Sequence, residues 1–94
     1  MKGLARDHKQ AFEWYKRGAD LDDPSSTAEL GLMYANGDGT VCDDSAALVL
    51  VTRAAMLGSA HACWLLGDGY LDGWCGLPKD PKETARWFRR SQAC

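Results

Sequence analysis

The side chains able to do chemistry in this chain are two histidines, four cysteines and thirteen carboxylates. Nucleophilic catalysis needs a nucleophile and a base within hydrogen-bond reach of each other. His61 and Cys63 are two positions apart, which on a helix turns their side chains about 200° from each other. His8 lies far away along the chain. The sequence offers no nucleophile–base pair, and we predict that the protein is not an enzyme.

The same inventory predicts neither a metal nor a cofactor. Cys42, Cys63, Cys75 and Cys94 form no CxxC and no zinc-type spacing. The acid pairs Asp22-Asp23 and Asp43-Asp44 are explained as helix caps and first-turn acids, which the helix dipole favours. Neither a phosphate-binding loop nor a dinucleotide fingerprint occurs in the sequence.

What organises the chain is an internal repeat. The motif Leu30, Gly31, Tyr34 and Gly37 recurs 36 positions later as Leu66, Gly67, Tyr70 and Gly73. A fixed period of this length is typical of repeat architectures, in which each unit buries its apolar face against the next. A glycine inside a helix is unfavourable by up to about 1 kcal/mol, so its recurrence indicates close approach of a neighbouring helix.

The pattern predicts five helices. We expect them at about Asp7 to Ala19, Pro24 to Asn36, from Asp43 to Gly58, Ser59 to Leu71, and from Asp80 to the end. Offsets of 36 and then 37 relate the first, third and fifth helices, since the loop from Asp72 to Lys79 is one residue longer than its counterpart. The prediction is a single domain, residues 1–94, in which 1–22 hold the second helix of an incomplete repeat and 23–58 and 59–94 are full repeats.

These residues resemble the Sel-1-like repeat family, a relative of the tetratricopeptide repeats. The first copy matches its pattern at Leu30-Gly31, Tyr34, Gly37, Gly39, Val41, Asp43, Ala47 and Ala54-Ala55; the second matches at Ala62, Leu66-Gly67, Tyr70, Gly73, Gly76, Asp80 and Trp87-Phe88. The resemblance implies an all-α fold, a right-handed α/α solenoid of about two and a half repeats with five antiparallel helices. It also implies that the first (A) helix of each repeat lines a concave face, the second (B) helix lies outside, and the protein works as an interaction scaffold.

If A helices line the groove, its partner-binding residues follow from helical spacing. They are Glu29, Leu32, Met33 and Asn36 on one A helix and Leu65, Asp68 and Asp72 on the other. Trp74, in a loop between glycines, is the tryptophan most expected to be exposed, either as a contact residue or as a cover over the helix ends. Apolar anchors mixed with acids favour a protein or peptide partner with basic and apolar residues. An ordinary solvated face explains the same residues equally well.

The other tryptophans, Trp14, Trp64 and Trp87, are predicted to pack in the core or between repeats. The first B helix has no A helix of its own repeat, so its Trp14/Tyr15 stripe is uncovered unless another copy or a further repeat packs there. Self-association through this helix is therefore an open alternative to partner binding.

Among cysteine-rich relatives, a cysteine three residues before the Leu-Gly pair bridges to the end of a neighbouring B helix. The resemblance thereby makes a Cys63–Cys94 disulfide possible, but Cys94 lies two positions beyond the pattern, and we expect four free thiols. The same relatives imply a second functional alternative, a small-molecule-binding or hydrolase-like protein.

Composition and charge further limit the kind of protein this chain can be. The 46% hydrophobic and 26% charged content is that of a folded globular chain. Basic ends, residues 1–18 and 79–94, flank an acidic middle, whereas nucleic-acid binding needs one continuous basic face. No apolar run is long enough for a membrane span, and no apolar segment of a signal peptide is visible at the start. We predict no nucleic-acid partner, no membrane insertion and, by default, a cytoplasmic protein.

Overall fold

The computed structural model describes residues 8–93 and is helical throughout, apart from its connecting turns. The helices are α1 (His8–Asp20), α2 (Pro24–Asn36), α3 (Asp44–Met56), α4 (Ala60–Asp72) and α5 (Pro81–Ala93), with a 3-10 turn at Trp74–Gly76. The sequence-based bounds are confirmed to within a residue or two where they fall in this range; Asp7 lies outside it. No helix within residues 8–93 is long and apolar enough to cross a membrane.

Helix starts are fixed by side chains that accept the otherwise unpaired first-turn N–H groups. Asp23 accepts from the Ser26 N–H of α2 at 3.2 Å, and Asp43 from the Ala46 N–H of α3 at 3.1 Å. Ser59 and Asp80 do the same for α4 and α5. At the C-terminal ends of α2 and α4, Gly37 and Gly73 adopt φ of 72° and 76°. Only glycine takes this left-handed conformation without strain, so both repeats stop their A helix in the same way.

The helices stack as an all-α solenoid. The A helices α2 and α4 each pair with the B helix that follows, α3 and α5, while α1 packs on α2 and α3 packs on α4. Helices α2 and α4 are also in contact with each other. An A layer of α2 and α4 therefore lies beside a B layer of α1, α3 and α5.

The repeated glycines mark where each B helix presses against its A helix. A Cβ on Gly31 would lie 2.7 Å from Val51 Cγ2 and 3.2 Å from the Ala47 carbonyl oxygen. A Cβ on Gly67 would lie 2.5 Å from Cδ1 of Phe88, the repeat equivalent of Val51. The prediction that these glycines permit close helix approach is confirmed.

The core is built largely from small residues. Seven buried side chains form one cluster across α2, α3 and α4, namely Ala28, Val51, Ala54, Ala55, Ala62, Cys63 and Leu66. Small side chains allow helices to pack at short distance, so this core gains its stability from close contact rather than from bulk.

Thr84 interrupts this pattern on α5. It occupies the position held by Ala47 on α3, is 8% exposed, and its Oγ1 has no hydrogen-bond partner among the described residues. A buried, unsatisfied hydroxyl costs about 1–3 kcal/mol. We expect Thr84→Ala to raise the free energy of unfolding by about 1 kcal/mol more than Thr52→Ala, which gives the same gain in helix propensity at a half-buried site. Urea denaturation of the three proteins tests this; an equal gain in both variants would show that the Thr84 hydroxyl is satisfied.

Candidate functional site

The A layer has a one-sided charge. Helix α2 carries Glu29, helix α4 carries Asp68 and Asp72, and neither helix contains a lysine or arginine. Asn36 and Asp72 are exposed, while Glu29, Leu32 and Asp68 are half-buried. Because α2 and α4 are in contact, these side chains share one surface, which we call the A-helix surface. Its carboxylates make it anionic, and neither helix contributes a lysine or arginine to it.

Three predicted members of this surface are positioned differently. The prediction that Met33 is an exposed anchor is wrong, since its side chain is 7% exposed. Leu65 and Trp74 are partly buried and pack against the core cluster. Trp74 is therefore not the most exposed tryptophan.

The inserted loop residue explains the position of Trp74. Gly69 is the repeat equivalent of Met33, and a Cβ on Gly69 would lie 3.3 Å from Trp74 Cε3 and 3.1 Å from Leu77 Cδ1. The 3-10 turn thus folds back over α4 and places an indole ring where the first repeat has a methionine side chain. Cys75 takes φ of 53° to make this turn.

The A-helix surface also includes two apolar side chains, Trp64 and Leu71, which sequence reasoning did not place there and which lie beside the predicted acids. Trp64 is 48% exposed and Leu71 is 53% exposed, and both share a helical stripe with Asp68. The prediction that Trp64 packs in the core or between repeats is wrong for the described residues. Its repeat equivalent, Ala28, is buried in the core cluster, because α4 packs beside α2 in the A layer. Helix α4 has no such neighbour among the described residues, and Trp64 instead stacks on Phe88 with ring centroids 6.5 Å apart.

Comparison with known proteins identifies the architecture. The family model for the Sel1 repeat matches residues 1–23, 24–59 and 60–91. The chain belongs to the Sel1 repeat family. The crystal structure of a Sel1 repeat protein from Oxalobacter formigenes superposes with a TM-score of 0.86 and 27% identity, over 90% of this chain and 34% of that one.

A shorter sequence match is to a plant protein. The ERAD-associated E3 ubiquitin-protein ligase component HRD3A of Arabidopsis thaliana is 41% identical over 39 residues, which is 42% of this Sel1 repeat chain and 6% of HRD3A. The chain therefore spans a small part of both relatives. Sel1 repeats are commonly protein–protein interaction modules, and this chain is a member of that family.

At the other end of the Sel1 array, the Trp14/Tyr15 stripe of the first B helix is partly uncovered, as the sequence suggested. Trp14 is 65% exposed, so the prediction that it packs in the core or between repeats is wrong for the described residues, whereas Trp87 does pack against the core cluster. The rest of α1 is held by α2: Phe12 meets Tyr34 edge-to-face at 5.5 Å, and Ala19 is buried. Trp14 is therefore left largely uncovered by α2, the A helix on which α1 packs within residues 8–93.

The cysteines lie in different environments. Cys42 and Cys75 carry free thiols, and Cys42 donates its S–H to the Ala35 carbonyl at 3.2 Å. Cys63 is fully buried in the core cluster. Cys94 lies outside the described residues, so the choice between a Cys63–Cys94 disulfide and free thiols at these two positions stays a prediction. Within residues 8–93, no group of three or more His, Cys, Asp or Glu side chains is placed to hold a metal ion.

The fold raises the pKa of the Cys75 thiol. Burial raises the pKa of its thiol from 9.0 to about 11, with further increases from a hydrogen bond to Asp44, from the Asp44 charge and from Cys42. This higher pKa lowers the thiolate fraction at pH 8 about a hundredfold, while the more basic thiolate is about tenfold more nucleophilic. We expect Cys75 to react with iodoacetamide at pH 8 about tenfold more slowly in the native than in the urea-unfolded protein.

Mass-spectrometric peptide mapping measures this rate for Cys75, and equal rates in the two states would contradict the environment described.

The raised pKa of Cys75 also predicts a pH dependence of stability. Because the folded pKa lies above the unfolded one, the contribution is complete below pH 9 and is lost as the pH rises through about 11. The free energy of unfolding should therefore fall over this interval by more than in Cys75→Ser.

Proposed function

We propose that this chain is a non-catalytic protein-interaction module whose A-helix surface binds a segment of a partner protein that carries basic and apolar residues. One observation supports this choice of partner above the others: α2 and α4 present three carboxylates and no lysine or arginine. Exposed Leu71 and Trp64 lie beside those carboxylates and supply apolar contact area. The concave shape expected of an A layer would let one segment reach both helices.

Electrostatic attraction and apolar burial would act together at this surface. Exposed ion pairs are worth less than about 1 kcal/mol each and weaken with salt. Burial of a large apolar side chain contributes about 1.5–3 kcal/mol. Apolar contacts therefore supply most of the affinity, while the carboxylates select the charge of the partner.

The test uses a fluorescein-labelled peptide of alternating leucine and lysine, titrated with protein and followed by fluorescence anisotropy. We expect Asp72→Lys to weaken binding about five- to tenfold, which corresponds to the loss of one attraction and the gain of one repulsion. Glu13→Lys makes the same charge change on the exposed face of α1 and should alter the affinity less than about twofold. Equal losses in the two variants would show that net charge, rather than the A-helix surface, attracts the peptide.

A second candidate role rests on Trp14. On α3, Leu50 and Val51, at and after the equivalent position, lie against Gly31 of the preceding A helix, and on α5, Phe88, one position after the equivalent Trp87, lies against Gly67. Trp14 has no such helix among the described residues and is 65% exposed. This favours docking of a further A-type helix, from another Sel1 repeat, onto α1. Light scattering over a concentration series, with Trp14→Gln as the comparison, tests the self-association version: a concentration-dependent dimer lost in the variant supports it, and a monomer in both opposes it.

A further inference from the structure

We propose that the B layer carries a second, independent binding surface, which accepts an acidic peptide segment with apolar side chains. It consists of an apolar groove between α3 and α5 and a group of arginines on α5 that adjoins it. Neither feature belongs to the A-helix surface, and the two surfaces select partners of opposite charge.

The groove follows from how the layers pack. Helices α3 and α5 are each paired with an A helix, but no comparable packing joins α3 directly to α5 within the described residues. A groove of about 500 Å³ remains between them, within the size range of binding clefts. Its apolar lining is Leu48, Val49, Leu66, Tyr70, Leu77 and Trp87. Arg53 is the charged side chain in the lining, and Asp22 pairs with it.

The arginine group begins where the groove ends. Trp87 lines both the groove and a neighbouring cavity of about 370 Å³, whose other lining residues are Arg86, Arg89 and Arg90. The Arg90 guanidinium lies 5.5 Å from the centre of the Trp87 ring, in cation–π contact. Trp87 thus separates the groove from the arginines, and a side chain bound in the groove against Trp87 would lie close to them.

The available charge on these arginines selects an anionic partner. Arg86 pairs with Glu83 at 2.9 Å and keeps 74% of its side chain exposed, while Arg89 is exposed and forms no ion pair with a described residue. Planar guanidinium groups bind carboxylates in a bidentate manner, so aspartate or glutamate beside the apolar anchors fits this surface best. A peptide with lysines at the same places would meet repulsion.

The inference is tested with a fluorescein-labelled peptide of alternating leucine and glutamate, at low and moderate salt, on the full chain. We expect it to bind the wild-type protein, and to bind more weakly as salt increases. Arg89→Glu should weaken binding about five- to tenfold, because one attraction is lost and one repulsion is gained. Val49→Asp, at a residue that is 66% exposed on the groove wall, should weaken it at least as much.

Lys82→Glu is the matched control, because it makes the same charge change on α5 at an exposed position outside both cavities. It should leave the affinity within about twofold of wild type. Circular dichroism on each variant separates loss of binding from loss of folding. Failure of the leucine–glutamate peptide to bind, or an equal effect of Arg89→Glu and Lys82→Glu, would overturn the proposal.

Two further outcomes would also overturn it. Equal affinity for a mixed-sequence single-stranded oligonucleotide would mean that the arginines attract any polyanion. A dimer in light scattering that Arg89→Glu dissociates would mean that a second copy of the chain occupies the groove. Neither outcome depends on the A-helix surface, which Asp72→Lys tests separately.

Discussion

Replacing Gly31 by alanine is expected to lower the free energy of unfolding by about 2 kcal/mol, although alanine is the better helix former by up to about 1 kcal/mol. The added methyl would lie 2.7 Å from Val51 Cγ2 and 3.2 Å from the Ala47 carbonyl oxygen. Val51 is fully buried, and the second contact is with backbone, so neither neighbour moves without separating α2 from α3. For a chain of this size the melting temperature should fall by roughly 10 °C.

A double-mutant cycle isolates the cause. Val51→Ala removes the methyl group with which the new Cβ collides most closely, so Gly31→Ala should cost less in that background, where the 3.2 Å contact with the Ala47 carbonyl oxygen remains. Thermal and urea unfolding of the four proteins gives the coupling energy. An equal loss in both backgrounds would mean that the glycine serves some purpose other than the close approach of α3.

The second large effect is expected at Leu66. Its side chain is 2% exposed and belongs to the core cluster, and Leu→Ala at such a site costs about 2–5 kcal/mol through lost burial and the cavity left behind. The stability of a domain this size is about 5–14 kcal/mol, so Leu66→Ala should leave a weakly stable protein.

Leu71→Ala is the matched control, since it makes the same chemical change on the same helix at a side chain that is 53% exposed. We expect it to alter stability by less than about 0.5 kcal/mol, but to weaken binding of the leucine–lysine peptide. Chemical denaturation and peptide titration of both variants test this. If Leu71→Ala destabilised the protein as much as Leu66→Ala, the assignment of Leu71 to the A-helix surface would be wrong.

Most of the fold could be predicted because it depends on local rules that repeat. Residue type alone predicts the helix starts at the N-caps Asp23, Asp43, Ser59 and Asp80. The glycine pair Gly31 and Gly67 could be assigned to close helix contact because the same unfavourable choice occurs at the same place in both copies.

The candidate site was predicted less well, because a helical face becomes core or surface according to its neighbour. Ala28 and Trp64 share one repeat position, yet one is buried against α4 and the other is 48% exposed. Met33 and Gly69 share another, and the single inserted loop residue lets Trp74 cover the glycine. Periodicity gives the register of a residue, but not whether another helix is present beside it.

The B-layer groove was beyond sequence reasoning for a related reason. Its lining comes from α3, α4, α5 and the loop before α5, and only the separation between two B helices makes it a groove. The arginines were visible as a basic C-terminal end, but their position beside Trp87 required the packed structure.

Amide chemical shifts of the isotope-labelled chain, followed during titration with the leucine–lysine peptide, locate the peptide-binding residues most directly. We predict that the largest changes occur on the A-helix surface, at Leu32, Asn36, Asp68, Leu71 and Asp72, and that Asp72→Lys reduces them. Changes concentrated on α3 and α5, or no changes at saturating peptide, would contradict the claim that this Sel1 repeat chain binds basic partners through its A helices.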